Sequence, residues 1–160
     1  GVVNAVYNQA NMVLVVLDNS TTAMTGHQPH PGTGRTVMGE IVQKINIEQV
    51  LRGIGVTEIE TINPLELEAS VSCVKRMAEK SGVRAIIFKA PCIAVTKPKA
   101  PLHVNQESCI GCKKCIRDLG CPAIVMNDGK ICIDASMCTG CHLCSQVCPV
   151  CAIAGGDDHE

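Results

Sequence analysis

Ten of the chain's 12 cysteines lie between residues 109 and 151, and their order restricts the fold more than their number does. Cys109-x2-Cys112-x2-Cys115 is followed by Cys121-Pro122. Cys138-x2-Cys141-x2-Cys144-x3-Cys148-Pro149 comes next. Three cysteines in so tight a turn set three thiolates around one face of an iron–sulfur cubane, and the cysteine before proline reaches across to the other cluster. On that rule Cys109, Cys112, Cys115 and Cys148 bind one [4Fe–4S] cluster, and Cys138, Cys141, Cys144 and Cys121 bind a second. Disulfides suit secreted chains, and nothing here signals secretion. Zinc takes four ligands per site, but two triplets, each with a Cys-Pro partner, are too many and too ordered for it. One irregularity stands: five residues, IRDLG, separate Cys115 from Cys121 where three are usual.

The clustering divides the chain. KPKAPLH, residues 97–103, carries two prolines and reads as a linker, with the boundary near Pro101. The expected domains are residues 1–101 and 102–160. Residues 1–100 hold 10 basic and 8 acidic groups, and residues 101–160 hold 4 and 7. The overall charge of −1 argues against a nucleic-acid or membrane-surface partner held by bulk electrostatics. One Tyr, one Phe and no Trp leave no stacking platform for single-stranded nucleic acid. The longest uninterrupted aliphatic run, residues 12–17, is far short of a membrane span. The N-terminal GVVNAVYN has no basic region and no initiator Met, so it reads as neither a signal peptide nor a natural start.

The first hundred residues alternate strand and helix signals. Residues 12–17 suit a strand buried on both faces, and 83–88, VRAIIF, suit another. VTEIETI, 56–62, is also strand-like. Ile47, Val50, Leu51 and Ile54 fall on one helical face, with Asn46 as cap and Gly55 near the end. Asn63-Pro64 is expected to open a second helix with the apolar stripe Leu67, Val71, Val74 and Ala78, ended by Gly82. This order implies a parallel α/β sheet, in which ligands bind where loops leave the carboxyl ends of strands. The long loop 18–43 leaves such an end at Asp18. In it Asn19 offers an amide oxygen and Thr21 a backbone carbonyl, hard donors of the kind Mg²⁺ takes beside a phosphate. A polar, turn-rich connection without a ligand is the alternative reading of composition alone.

VVLDNSTTAMTGHQPHPG resembles the thiamine-diphosphate loop of the 2-oxoacid:ferredoxin oxidoreductases, most closely the large subunits of their indolepyruvate branch. The resemblance implies that Asn19 is the side-chain ligand of Mg²⁺ and Thr21 its carbonyl ligand, and that Thr25 and Gly26 line the diphosphate end. His27 and His30, in the same loop, are candidates for a contact or proton transfer. The Gly-Asp half of the family motif would fall before residue 1, and GVVNAVYNQAN resembles the helix between the two halves. The sequence is therefore expected to be a C-terminal fragment of a longer subunit, lacking part of its sheet and one metal ligand.

Residues 102–154 resemble a bacterial two-cluster ferredoxin, an α+β fold with pseudo-twofold symmetry. ESCIGCKKC…GCPAI repeats as SMCTGCHLC…VCPVCAI, and Asn127-Asp128-Gly129 marks a hairpin between AIVM and KICI. Cys132 reads as a small core residue, Cys151 occupies a position where ferredoxins often carry Gly, and Cys73 and Cys92 read as packed or incidental thiols. Two oxidised clusters would move this part from −3 to about −7. Together the resemblances imply oxidative decarboxylation of a 2-oxoacid, with indolepyruvate or another aryl pyruvate as substrate. Electrons would pass singly through two clusters to external ferredoxin, and coenzyme A would take the acyl group. They imply a smaller β subunit as partner and the cytoplasm of an anaerobe or archaeon. Two other readings stay open: an electron-transfer protein whose N-terminal piece is a docking module, and a structural or regulatory iron–sulfur protein without turnover.

Overall fold

β-Branched runs pack well on a pleated surface, and in this chain they become strands. In the computed structural model, which describes residues 1–22, 24 and 26–155, Met12–Asp18 forms β1, Glu58–Ile62 β2 and Val83–Lys89 β3. The three pair in parallel in the order β1-β3-β2. Helix α1 (Val2–Tyr7) precedes β1; α2 (Ile47–Gly53) and α3 (Leu67–Glu79) make the crossovers that parallel strands require. These elements belong to a first unit, Gly1–Thr96; a second, Lys97–Glu160, begins at the head of the proline-containing segment.

The central strand β3 is buried from Arg84 to Ile87. Strand β1 was expected to be covered on both faces and is not. Leu14 and Val16 pack with Leu51, Val56, Ala85 and Ile87, and Val13 packs with Cys73, Met77 and Ile86 on the other face. Val15 and Leu17 remain 48% and 76% exposed, and among the described residues neither joins an apolar cluster.

Helix α2 forms as its cap signal predicts: the Asn46 Oδ1 accepts the Gln49 N–H at 3.1 Å. Helix α3 departs from expectation twice. It begins at Leu67, because Asn63 turns the chain first: its Oδ1 accepts the Leu65 N–H at 3.0 Å and its carbonyl accepts the Glu66 N–H at 3.1 Å. Its buried face is Ser70, Cys73 and Met77, whereas Val71 and Val74 are 45% and 44% exposed. Cys73 and Met77 pack with Ile86 in this rotation, and ion pairs from Arg76 to Glu60 (2.6 Å) and from Lys80 to Glu58, both acids on β2, accompany it.

Arg84 is a buried cation that the sequence pattern did not single out. It is 4% exposed; Nε donates to the Met77 carbonyl at 2.9 Å, and Nη1 donates to Asn11 Oδ1 and the Gly82 carbonyl. It thus ties β3 to the end of α3 and to the segment before β1. Arg84→Ala strands these acceptors and is expected to lower stability by about 3 kcal/mol. Urea unfolding of the full chain followed by circular dichroism checks this.

In the second unit, β4 (Leu102–Val104) pairs antiparallel with β7 (Ile153–Gly155), and β5 (Ile124–Asn127) with β6 (Lys130–Ile133). Helices α4 (Lys114–Leu119) and α5 (Leu143–Val147) follow the two cysteine loops. Asp128 (φ 47°) and Gly129 (φ 76°) take the two left-handed positions of the β5–β6 turn. The internal repeat is visible in the backbone. The Asn105 N–H donates to the Ala152 carbonyl and the Asp134 N–H to the Ala123 carbonyl, both at 2.8 Å. Among the described residues, no helix is long and apolar enough to cross a membrane.

Candidate cofactor sites

Each cysteine loop starts from an Asx turn. Asn105 Oδ1 accepts the Glu107 N–H at 2.9 Å, and Asp134 Oδ1 accepts the Ser136 N–H at 2.9 Å and its hydroxyl at 2.6 Å. The hydrogen bonds from Ser136 hold the Asp134 carboxyl below the usual carboxylate range. Carbonyls of Asn105 and Asp134 accept the N–H groups of Cys109 and Cys138, each at 3.0 Å. Left-handed residues then reverse the chain at equivalent places: Gly111 and Gly140 (φ 65° and 68°), Lys113 and His142 (φ 59° and 61°). Cys115 and Cys144 follow in α4 and α5, and both are buried.

The cysteines before proline come back across the repeat. One apolar cavity is lined by Cys109, Cys112, Cys115 and Cys148, with Ile110 and Ile131 in its walls. Burial raises the Cys115 thiol above its ordinary value, and nearby Cys112 and Cys148 raise it further. Burial also pushes Cys144 up to about 11, with Cys141, Cys138 and Cys121 adding to it through their proximity. The first of the two sets of four thiols thus lines one cavity, and the other members of the second lie near enough to Cys144 to raise it. Among the described residues, no three His, Cys, Asp or Glu side chains are spaced to hold a single metal ion. The Cys148 sulfur accepts the Ala152 N–H at 3.2 Å, the kind of contact that tunes a cluster's potential.

The long Cys115–Cys121 segment is offset within its own half. Ala123 follows Cys115 by eight residues, as Ala152 follows Cys144, so the extra residues before Cys121 are balanced by fewer after it. Gly120 (φ 57°) ends α4 and lets the chain turn to Cys121. Cys151 sits at φ 50°, a backbone position natural to glycine, and is exposed. Cys132 is half-buried on β6 and Cys73 is fully buried, its thiol raised by burial and by the Glu60 carboxylate beside it.

The two loop glycines differ in surroundings. A Cβ on Gly111 would meet nothing within 4 Å, whereas one on Gly140 would lie 2.7 Å from the Ala100 carbonyl and the Lys99 side chain. Gly140→Ala is therefore expected to destabilise the second unit by at least 2 kcal/mol more than Gly111→Ala, roughly the cost of overpacking on top of the shared backbone strain. Thermal unfolding of the two variants checks this.

In the first unit the loop after β1 is clamped at its root. The Asp18 carbonyl accepts the Ala90 N–H at 3.1 Å and the Asn19 carbonyl the Cys92 N–H at 2.9 Å. Asn19 Oδ1 accepts the Thr21 N–H at 3.2 Å across Ser20 (φ 62°), and Thr21 is buried. Thr22 closes the next turn by accepting the His27 N–H at 3.0 Å on its carbonyl and donating its hydroxyl to the Gln28 carbonyl at 2.7 Å. Gly26 and His27 are left-handed there (φ 96° and 63°). Thr25 lies outside the described residues.

A cavity of about 430 Å³ opens at the carboxyl ends of the strands, lined by Asp18, Thr61, Ile87 and Lys89, by His30, and by the first turn of α2. His30 is half-buried, and its Nδ1 accepts the Gly32 N–H at 3.1 Å. Asn19 lines a second recess of about 290 Å³ with Leu17, Pro64 and Phe88. Asp18 lines both. Thr21, Gly26 and the exposed His27 line neither. Lys89, 3.6 Å from Asp18, was missed in the sequence; its only signal is that it is the first polar residue after a buried strand.

A family model for the thiamine pyrophosphate enzyme C-terminal TPP binding domain matches residues 1–88. The chain belongs to that family. Among curated relatives, a protein of Methanothermobacter thermautotrophicus named indolepyruvate oxidoreductase subunit IorA is 45% identical over 153 residues, covering 94% of this chain and 25% of its own length. Proteins of the same name from Archaeoglobus fulgidus and Thermococcus kodakarensis are each 40% identical, covering 92% and 91% of this chain and 25% and 24% of their own. The chain thus spans about a quarter of the length of these relatives. No solved structure matches it. For a thiamine pyrophosphate enzyme domain the parallel sheet, its covering helices and a ligand cavity at the strands' carboxyl ends are the expected architecture, and they are present.

Proposed function

We propose that this chain contributes the diphosphate end of a thiamine site and a two-cluster electron relay to a 2-oxoacid:ferredoxin oxidoreductase. One juxtaposition carries the reading: a thiamine-domain match over residues 1–88 is followed in the same chain by two sets of four thiols. Asn19 gives Mg²⁺ its side-chain oxygen and Thr21 its carbonyl, donors that suit the ion. The Asx turn presets the Asn19 amide, and the Cys92 N–H fixes its backbone. Thr25 and Gly26 line the diphosphate. His30 serves proton transfer from the cavity wall, and His27 a contact at the loop surface. Bound thiamine diphosphate supplies the electron sink that a 2-oxoacid needs to lose CO₂.

Cys109, Cys112, Cys115 and Cys148 hold one [4Fe–4S] cluster and Cys121, Cys138, Cys141 and Cys144 the other, each an acceptor of one electron at a time. Domain 102–160, with its lead-in from Lys97, is thus the relay, and domain 1–101 the cofactor platform. External ferredoxin takes the electrons, and coenzyme A the acyl group. The relatives' name, a subunit of an indolepyruvate oxidoreductase, supports indolepyruvate as substrate and a partner subunit, which we take to be a smaller β subunit. Oxygen-sensitive clusters suit the reducing cytoplasm of an anaerobe.

The test uses the full-length subunit with its partner, anaerobically, supplied with thiamine diphosphate, Mg²⁺, coenzyme A and indolepyruvate. Cluster signals in electron paramagnetic resonance should appear on adding the 2-oxoacid. Clusters that dithionite reduces and no 2-oxoacid does would reject the reading. The 160-residue chain alone is expected to accept electrons from dithionite without releasing CO₂ from any 2-oxoacid.

A further inference from the structure

The two cysteine loops are alike in backbone and unlike in surface. In the first, every residue from Ile110 to Lys114 is exposed, the Cys112 thiol among them, and Ile110 is 65% exposed. In the second, no residue from Cys138 to Cys144 is exposed, and Gly140 is buried under Lys99 and Ala100. The segment that begins the unit therefore covers one loop and leaves its counterpart open.

Charge follows the same asymmetry. Lys113, Lys114 and Arg117 are all exposed around the open loop. The residues at the matching positions of the second half are His142, Leu143 and Gln146. Among the described residues, none of the three cations makes an ion pair within 4.0 Å. Glu107 and Asp118 flank them, so before the cluster's own charge is counted the loop with α4 is net basic by one charge in a half of the chain that is otherwise acidic. An exposed apolar residue with three unpaired cations on the same loop and helix, beside an exposed thiol, is the composition of a steered, short-lived interface.

We propose that this face, Ile110 with Lys113, Lys114 and Arg117, docks a small acidic one-electron carrier protein. This rests on the cluster reading above. In the docked pair one electron leaves the reduced cluster behind Cys112 for the oxidised carrier. The donor returns to its oxidised state, and no bond or proton changes hands. The second loop, roofed by residues 99–100, offers no such face.

The test uses the full chain loaded anaerobically with iron and sulfide, and an acidic two-cluster ferredoxin as the carrier. Calorimetry with both proteins oxidised reads binding without turnover; stopped-flow mixing of the dithionite-reduced chain with oxidised carrier reads transfer. The triple variant K113E/K114E/R117E should weaken binding and slow second-order transfer at low salt by about tenfold or more, and flatten the dependence on ionic strength. Lys130→Glu, on the hairpin, should change neither. Iron content, and transfer to a small uncharged acceptor, should equal those of the unaltered chain. Unaltered binding and rate in the triple variant, or an equal loss in Lys130→Glu, overturns the docking face while leaving the clusters intact. Failure of the unaltered chain to take up iron overturns the cluster reading, and the docking face with it.

Discussion

Cys148→Ala is expected to empty the same cluster as Cys109→Ala, cutting iron from about eight to about four atoms per chain, although Cys148 stands in the second motif. Cys121→Ala should likewise remove the cluster that Cys144→Ala removes. The reason is the crossing seen in the structure, where Cys148 lines one cavity with the first triplet and Cys121 stands near the second. Loss of the cubane also removes packing. Among the described residues the second unit buries nine apolar side chains: Cys115, Cys144, Ala123 and Ala152, with Leu102, Ile124, Ile131, Val147 and Ile153. So small a set cannot stabilise a domain of this size without metal. Chelating both clusters should therefore abolish the unit's cooperative unfolding transition, leaving that of the first unit. Cys132→Ala is the control and should keep its full iron content. Iron assay with the resonance spectrum of each variant decides the matter. If Cys148→Ala matched Cys138→Ala instead, the pairing would be wrong.

The second large effect concerns Asn19. In the full-length subunit, Asn19→Ala should weaken thiamine diphosphate binding by about 10- to 100-fold, the range found when a group supporting a metal site is lost. The loop root should survive, because its two clamps, Ala90 N–H to Asp18 and Cys92 N–H to Asn19, are backbone bonds. Raising Mg²⁺ should recover part of the affinity, since the Thr21 carbonyl remains. Calorimetric titration with the cofactor reads both. An unchanged affinity would remove Asn19 from the site.

Much of this was legible beforehand because cysteine spacing, strand composition and Asx caps act locally. Asn46 capped α2 as its sequence implied, and Asp128-Gly129 made the hairpin. What failed was decided by partners distant in sequence. The face of α3 could not be chosen from its own residues, since the exposed Val71–Val74 stripe is as apolar as the buried Ser70–Cys73–Met77 one; packing of Cys73 and Met77 with Ile86 on β3 decides it, and Glu58 and Glu60 on β2 add ion pairs. Asn63 had two uses for its side chain, a cap or a turn, and took the turn. Exposure of Val15 and Leu17 depends on what packs over their face of β1, which no residue of β1 encodes. In the cofactor loop, Asn19 and His30 were visible as residue types in a glycine-rich segment, yet they line different recesses. Lys89 was invisible, because a lysine after a strand is ordinarily only a solvated end.

The crossing of the two halves has a bearing on the order in which such a domain can mature. The first triplet, Cys109 to Cys115, leaves the ribosome well before Cys148, and Cys121 leaves before any member of the second triplet. Neither set of four thiols is complete until most of the domain has been made. The closing pair β4–β7 also waits for residues 153–155. On the cluster reading, the first site must wait for the second motif: a ribosome stalled between Cys144 and Cys148 would present the second set of four complete and the first triplet still open.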